Sequence, residues 1–258
     1  MIPTIIAGPC VIESSEVLDE VARTIVAINS ALGVDIIFKA SFDKANRTSL
    51  SSYRGVGLER GLQMLADVKS RYGLRLTTDI HETWQAQPVG EVVDVVQIPA
   101  LLSRQTDLIV AASRHAKVVN IKKGQMLSGQ DMRHAYRKAT ESGAKEVWLT
   151  ERGNMFGYNN LVVDFRNIAT MRDIAPTVVM DCTHSVQQPG ACGERSGGDC
   201  SYIEAMALAA KAFGANGYFF EVHPTPDRAL CDGANSLHLD RLKNVIEKLI
   251  IQRDEYPK

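Results

Sequence analysis

Short β-branched runs alternate with longer amphipathic stretches along almost the whole chain. Eight of the runs read as strands: TIIAGP, DIIFKAS, RLTTDI, DVVQIP, KVVNIKK, EVWLTE, TVVMDCT and GYFFEV. They are apolar on both faces, the pattern of parallel strands covered from both sides. Between them, apolar positions recur at helical spacing in SEVLDEVARTIVAINSAL, LERGLQMLADVKSRY, TDLIVAASRHA, DMRHAYRKATESG and YIEAMALAAKAF. LDRLKNVIEKLIIQRDEY closes the chain. Gly33, Gly73, Gly143 and Gly214 stand where helix C-caps are expected. Such alternation, with right-handed crossovers, closes into a barrel or opens into a doubly wound sheet. Eight β-then-α units in 258 residues favour an α/β protein built as a single (β/α)8 TIM barrel. No linker-like or low-complexity segment divides the chain, so residues 1–258 are expected to form one domain.

A barrel of this kind carries its site at the C-terminal ends of the strands. The first strand is followed by Cys10, and the second by Lys39, Lys44, Asn46 and Arg47. The third supplies Asp79, His81 and Glu82, and the fourth Gln97 with Arg104 shortly after. Lys122 and Lys123 end the fifth, and Arg152 the sixth. Asp181, Cys182 and His184 follow the seventh, and Glu221 and His223 end the eighth. Exposed strand ends are polar in many proteins, which accounts for any one of these positions. It does not account for their sorting, with cations on strands two, five and six and Cys, His and carboxylates on strands one, seven and eight.

Composition narrows the setting. An apolar fraction of 45% and a charged fraction of 23% are those of an ordinary soluble domain. The net charge of −1 provides no general field for nucleic acid or an acidic membrane surface. No apolar segment approaches the roughly 20 residues that span a bilayer. The opening MIPTIIAGPC lacks a basic region and a long apolar core, so no secretory signal is expected. Five irregularly spaced cysteines favour free thiols or metal ligands over a disulfide framework. A cytoplasmic protein is expected.

The cations must then act locally. Lys39, Lys44, Arg47, Lys122 and Arg152 exceed what one phosphate needs, and two anionic groups would account for them. The opposite side offers a mixed donor set, Cys10, His184, Glu221 and Asp232, which fits a borderline divalent ion such as Fe(II), Zn(II) or Mn(II). His81, His223, Cys182 and Cys231 compete for that role, and spacing alone does not rank them. A Schiff base on Lys122 is another reading open to a barrel, against which the doubled phosphate site argues. The glycine-rich segment from Gln188 to Asp199 reads as a lid.

The stretches AGPCVIES, FKASFDKANRTS, TDIHE, QIPALLSRQTDL, NIKKGQ, TERGNMFGYNNLVVDFR and THSVQQPG together resemble the 3-deoxy-D-manno-octulosonate 8-phosphate synthase family over almost the full length. The resemblance implies condensation of phosphoenolpyruvate with D-arabinose 5-phosphate, releasing inorganic phosphate, for lipopolysaccharide synthesis. It implies a phosphoenolpyruvate site at Lys39, Lys44, Gln97, Lys122, Arg152 and His184, and an arabinose 5-phosphate site at Asn46, Arg47, Thr48 and Arg104. The arginine is implied to come from a neighbouring subunit of a homotetramer, and Asp79, Lys44, His184 and Asn46 to serve the reacting centre. Cysteine at Cys10, with His184, Glu221, Asp232 and the CDG triplet, resembles the metal-dependent branch, which uses no organic cofactor. Thr48 stands where many members have serine, and Leu101 where phenylalanine is common.

Two rival readings remain. The 3-deoxy-D-arabino-heptulosonate 7-phosphate synthases share the GPC start but carry KPRTS where this chain has KANRTS, so Asn46 before Arg47 favours the pentose. A non-catalytic sugar-phosphate-binding barrel would be expected to have lost a reacting-centre residue, yet Asp79, Lys44 and His184 are all present.

Overall fold

Every one of the eight apolar runs forms a strand in the computed structural model, which describes residues 2–47, 49–192 and 195–251. The strands are β1 (Thr4–Gly8), β2 (Ile36–Lys39), β3 (Leu76–Asp79), β4 (Val95–Ile98), β5 (Val118–Lys122), β6 (Val147–Glu151), β7 (Thr177–Asp181) and β8 (Gly217–His223). Each pairs in parallel with the next, and β8 returns to β1 over Thr4 to Gly8. The sheet therefore closes without free edges, as expected of a (β/α)8 barrel. A short strand, Leu237–His238, is added beside the end of β8.

The strands are wrapped by α1 (Ser15–Leu32), α2 (Leu58–Tyr72), α3 (Ala86–Val92), α4 (Thr106–His115), α5 (Met132–Glu141), α6 (Arg166–Arg172), α7 (Ile203–Ala212) and α8 (Leu242–Ile250). In α1, Ser14 caps the Val17 N–H, and Leu18, Val21, Ala22, Ile25 and Ile28 form the buried stripe. The seven-residue α3 and α6 are too short to display two turns of periodicity, so the apolar pattern does not announce them. Among the described residues no helix is long and apolar enough to cross a membrane.

Two apolar layers hold the barrel. A large one lies between strands and helices, and a small one of Ile6, Ile37, Val95, Trp148, Val179 and Phe219 is separate from it. One period further along the same strands stand Gly8, Lys39, Gln97, Thr150, Asp181 and Glu221. Alternate residues share a face, so the face that packs the small apolar layer turns polar at the C-terminal ends. The two-sided apolar reading of the strands thus gives way to polar residues toward the C-terminal ends, which build the site, and also at the buried Thr77, Thr78 and Asn120 within the strands. Phe219 connects the small apolar layer to this polar end, with the Lys122 ammonium 4.0 Å and the Lys39 ammonium 5.9 Å from its ring centre.

At the opposite end of the barrel, Asp94 accepts from Lys69 at 2.8 Å, from the Leu76 N–H at 3.0 Å and from Lys117 at 3.1 Å. One carboxylate thereby ties α2 to the starts of β3 and β5.

Candidate active site at the strand ends

Lys39, at the end of β2, is buried and donates to the Ser41 hydroxyl at 2.7 Å. Its ammonium also lies 3.2 Å from Asp79 Oδ1, at the end of β3, and the same oxygen accepts from Ser41. His81 Nε2 lies 3.1 Å from the other Asp79 oxygen. Burial would raise the Asp79 carboxyl, but Lys39, His81 and Lys44 outweigh it and hold the group well below the usual carboxylate range. Asp79 is therefore an anion enclosed by cations.

On the far side, Asp181 at the end of β7 is wholly buried. Its carboxylate binds Lys122 Nζ at 2.6 Å and His184 Nδ1 at 2.8 Å. The remaining oxygen accepts from the Thr183 and His184 N–H groups at 3.2 and 2.9 Å. This leaves His184 Nε2 aimed away from Asp181, 3.6 Å from Glu221 and 3.9 Å from Asp232. Burial pulls Lys122 below its ordinary value, opposed by Asp181, and it pulls Arg152 down in the same way. Gln97 is buried and joined to the barrel interior through Asn120 at 3.4 Å, which in turn accepts from Thr150 at 2.6 Å.

Glu221 is wholly buried at the end of β8, yet neither of its oxygens has a hydrogen-bond partner among the described residues. Burial would raise its carboxyl, but His184, Lys44, Lys39 and Lys122 bring it down to about 2. Lys44 lies 3.6 Å away; burial would lower its ammonium, and Cys10, Glu221 and Asp79 together raise it well above the usual lysine value. The Cys10 Sγ lies 2.9 Å from Cys231 Sγ and 3.6 Å from Asp232 Oδ2, in a pocket whose burial pushes the Cys10 thiol well up. Arg47 reaches the same cluster, 3.0 Å from Cys231 and 4.0 Å from Asp232.

The loop after β8 is shaped to present Asp232. Its backbone is left-handed, with φ 50° and ψ 30°, a region that Asp tolerates better than most residues. A Cβ on the next residue, Gly233, would stand 2.2 Å from the Pro226 carbonyl oxygen. The CDG triplet thus has a steric reason for its glycine. Two donor groups share Asp232, Cys10, Cys231 and Asp232 in one and His184, Glu221 and Asp232 in the other, and within each group the ligand atoms lie within 4.8 Å of one another. The orphaned Glu221 oxygens and the mixed sulfur, nitrogen and oxygen donors fit a divalent transition ion.

Most of the expected residues therefore converge: Cys10, Lys39, Lys44, Arg47, Asp79, Lys122, His184, Glu221 and Asp232 are linked by contacts within the mouth. Arg152 joins them through Gln187, whose Oε1 accepts from the guanidinium at 3.3 Å while its amide donates to Asp232, also at 3.3 Å. Asn46 is exposed, and Thr48 lies outside the described residues. Arg104 is exposed beside a cavity of about 370 Å³ lined by Ser103, Asp131, His134 and Lys138. No polar contact joins its guanidinium to the described residues of the mouth. The Gln188–Asp199 segment forms, in its described residues, an antiparallel hairpin of Gln187–Cys192 with Arg195–Gly198. The sequence puts Asp181 on the rim among the carboxylates without giving it a specific task, and it does not single out Ser41 or Gln187.

The DAHP synthetase I family model matches residues 2–256. The chain belongs to this family. Within the DAHP synthetase I family, it is similar to the 2-dehydro-3-deoxyphosphooctonate aldolase of Desulfatibacillum aliphaticivorans, with 53% identity over 96% of this chain and 91% of the relative. The aldolases of that name from Syntrophotalea carbinolica and Helicobacter hepaticus are 52% and 50% identical. Each match covers 95% of this chain, and 89% and 94% of those relatives respectively.

Proposed function

We propose that this chain condenses phosphoenolpyruvate with D-arabinose 5-phosphate and water to give 3-deoxy-D-manno-octulosonate 8-phosphate and inorganic phosphate. The observation that carries the reading is Arg152. It is buried, reaches the mouth through Gln187 and Asp232, and its Nη1 has no partner among the described residues. A buried guanidinium with a spare donor is suited to an anion that the protein itself does not supply.

In this reading Lys39, Lys44, Gln97, Lys122, Arg152 and His184 hold phosphoenolpyruvate, and Asn46, Arg47, Thr48 and Arg104 hold the pentose phosphate. C3 of phosphoenolpyruvate adds to the C1 aldehyde, water adds at C2, and phosphate departs with cleavage of the C2–O bond. The cations offset the repulsion of two polyanions brought to reacting distance. Asp79, an anion beside Lys39 and His81, would serve the reacting centre together with Lys44, His184 and Asn46. Cys10, His184, Glu221 and Asp232 would hold a transition ion of the Fe, Zn or Mn class, which when bound polarises and orients an oxygen ligand. No organic cofactor is required.

The finer parts of the proposal follow from the same resemblance. Residues 1–258 act as one cytoplasmic domain serving lipopolysaccharide synthesis, in a homotetramer where Arg104 completes a neighbour's site. Leu101, Met126, Met155 and Phe156, all exposed, are apolar groups that such contacts would cover.

The test is phosphate release from phosphoenolpyruvate with arabinose 5-phosphate or erythrose 4-phosphate, each with and without chelator. Release with the pentose alone, abolished by chelator, is the expected result. Release with the tetrose alone would overturn the substrate, and chelator-resistant release would overturn the metal site.

A further inference from the structure

Lys123 and Glu151 are charged and wholly buried, and the chemistry above makes no use of them. The Lys123 ammonium lies 3.3 Å from Glu151 Oε1, with both side chains 0% exposed. Lys123 also donates to the Leu127 carbonyl at 2.9 Å and to Asn154 Oδ1 at 2.7 Å. Glu151 Oε1 accepts from the N–H of Arg152 at 2.9 Å and of Gly153 at 2.6 Å. The Lys123 N–H in turn bonds to the Thr150 carbonyl at 2.7 Å. The pair therefore clamps the exit of β6 to the exit of β5 from behind the mouth.

A buried ion pair is a poor source of stability, because an apolar pair fills the same space without desolvating two charges. What the pair supplies is placement: two backbone N–H groups at the β6 exit and two loop acceptors meet at one carboxylate and one ammonium. Among the described residues, the Arg152 guanidinium has one hydrogen bond to protein, the 3.3 Å contact with Gln187, so its backbone does much to set its position. We propose that Lys123 and Glu151 are positioning residues for phosphoenolpyruvate, fixing the β6 exit turn so that the Arg152 guanidinium meets the anion. The inference rests on the reading of Arg152 as a phosphoenolpyruvate ligand.

Calorimetric binding of phosphoenolpyruvate, with melting temperature measured alongside, tests it. The double variant Lys123→Met/Glu151→Leu leaves no unpaired charge but removes the acceptor for both N–H groups. Lys123→Met/Glu151→Gln retains an amide oxygen for them. The leucine pair is expected to weaken phosphoenolpyruvate about ten-fold, the value of one charge-assisted hydrogen bond. The glutamine pair is expected to stay within about two-fold of wild type, since the acceptor is restored. Equal affinity in all three proteins overturns the proposal, as does weakening that tracks melting temperature in both variants. Should the leucine pair not fold, Asn154→Ala removes one Lys123 acceptor without stranding a charge in the turn. It is expected to weaken binding about three-fold, and unchanged binding overturns the proposal. Wild-type turnover with the pentose is followed separately: its absence with phosphoenolpyruvate binding intact sinks the proposed reaction and leaves the positioning result to stand or fall alone.

Discussion

Asp181 Oδ2 and His184 Nδ1 lie 2.8 Å apart, and the same oxygen lies 2.6 Å from Lys122 Nζ. One carboxylate thus orients a candidate metal ligand and a candidate phosphate ligand at once. It fixes which imidazole nitrogen is free to face Glu221 and Asp232, as second partners of metal-binding histidines do.

Asp181→Asn keeps the shape and removes the charge. Activity is expected to fall about 10- to 100-fold. Stability is expected to fall by about 3 kcal/mol, because Lys122 loses the partner that offsets its burial. Phosphate release and urea melts measure the two effects. Activity within about three-fold of wild type would mean that the Asp181 contacts do not set the site.

The two thiols make different predictions. If Cys10 is the sulfur ligand, Zn(II) or Mn(II) should raise the melting temperature of the wild type, by linkage between binding and folding. Cys10→Ala should weaken that binding on the order of 100-fold, and Cys231→Ala should weaken it much less. Equal loss in both variants would make the sulfur site shared, and a larger loss in Cys231→Ala would exchange the two residues in the proposed donor set.

Much of this site is legible in the sequence because barrel topology converts strand order into a ring. Once eight runs are counted, Lys39, Asp79, Lys122 and Glu221 must stand at one rim, and the structure places them there. What is not legible is pairing within the rim. Cys10 and Cys231 are 221 residues apart in the chain, and nothing in their spacing reports a 2.9 Å approach; that follows from the left-handed backbone of Asp232 and the cramped Gly233. Gln187 is silent for the same reason, since its two partners lie 35 residues before it and 45 after it. Arg104 is a different case: no polar contact joins its guanidinium to the described residues of the mouth, so the geometry of one chain gives it no role there.

Gly8 is a position where packing and chemistry meet. A Cβ there would stand 2.0 Å from the Lys39 carbonyl oxygen, a backbone atom that cannot swing aside. Gly8→Ala must therefore push β1 from β2 at the level of Cys10 and Lys39. The expected cost is about 3 kcal/mol or more in a urea melt, with reduced metal-dependent stabilisation in the same protein. Wild-type stability in Gly8→Ala would show that the two strands are not in the contact described.

At the other end of the barrel, Asp94 gives a pH signature independent of the site. Burial would raise its carboxyl, but Lys69, the Leu76 N–H and Lys117 hold it below the usual value. A carboxyl with a depressed folded-state pKa binds its proton less readily folded than unfolded. Its stabilisation is therefore complete above the unfolded value of about 4, and is lost as pH falls through the lower folded value. Asp94→Asn keeps an oxygen for the Leu76 N–H and loses the charge that faces two partly exposed lysines, so about 1 kcal/mol is expected at neutral pH. Urea melts at about pH 7, pH 5 and pH 3.5 should give equal differences from wild type at the first two and a smaller one at the third. A difference that grows as pH falls would reverse the sign of the argument, and would mean that the lysines bring no net stabilisation to the carboxylate.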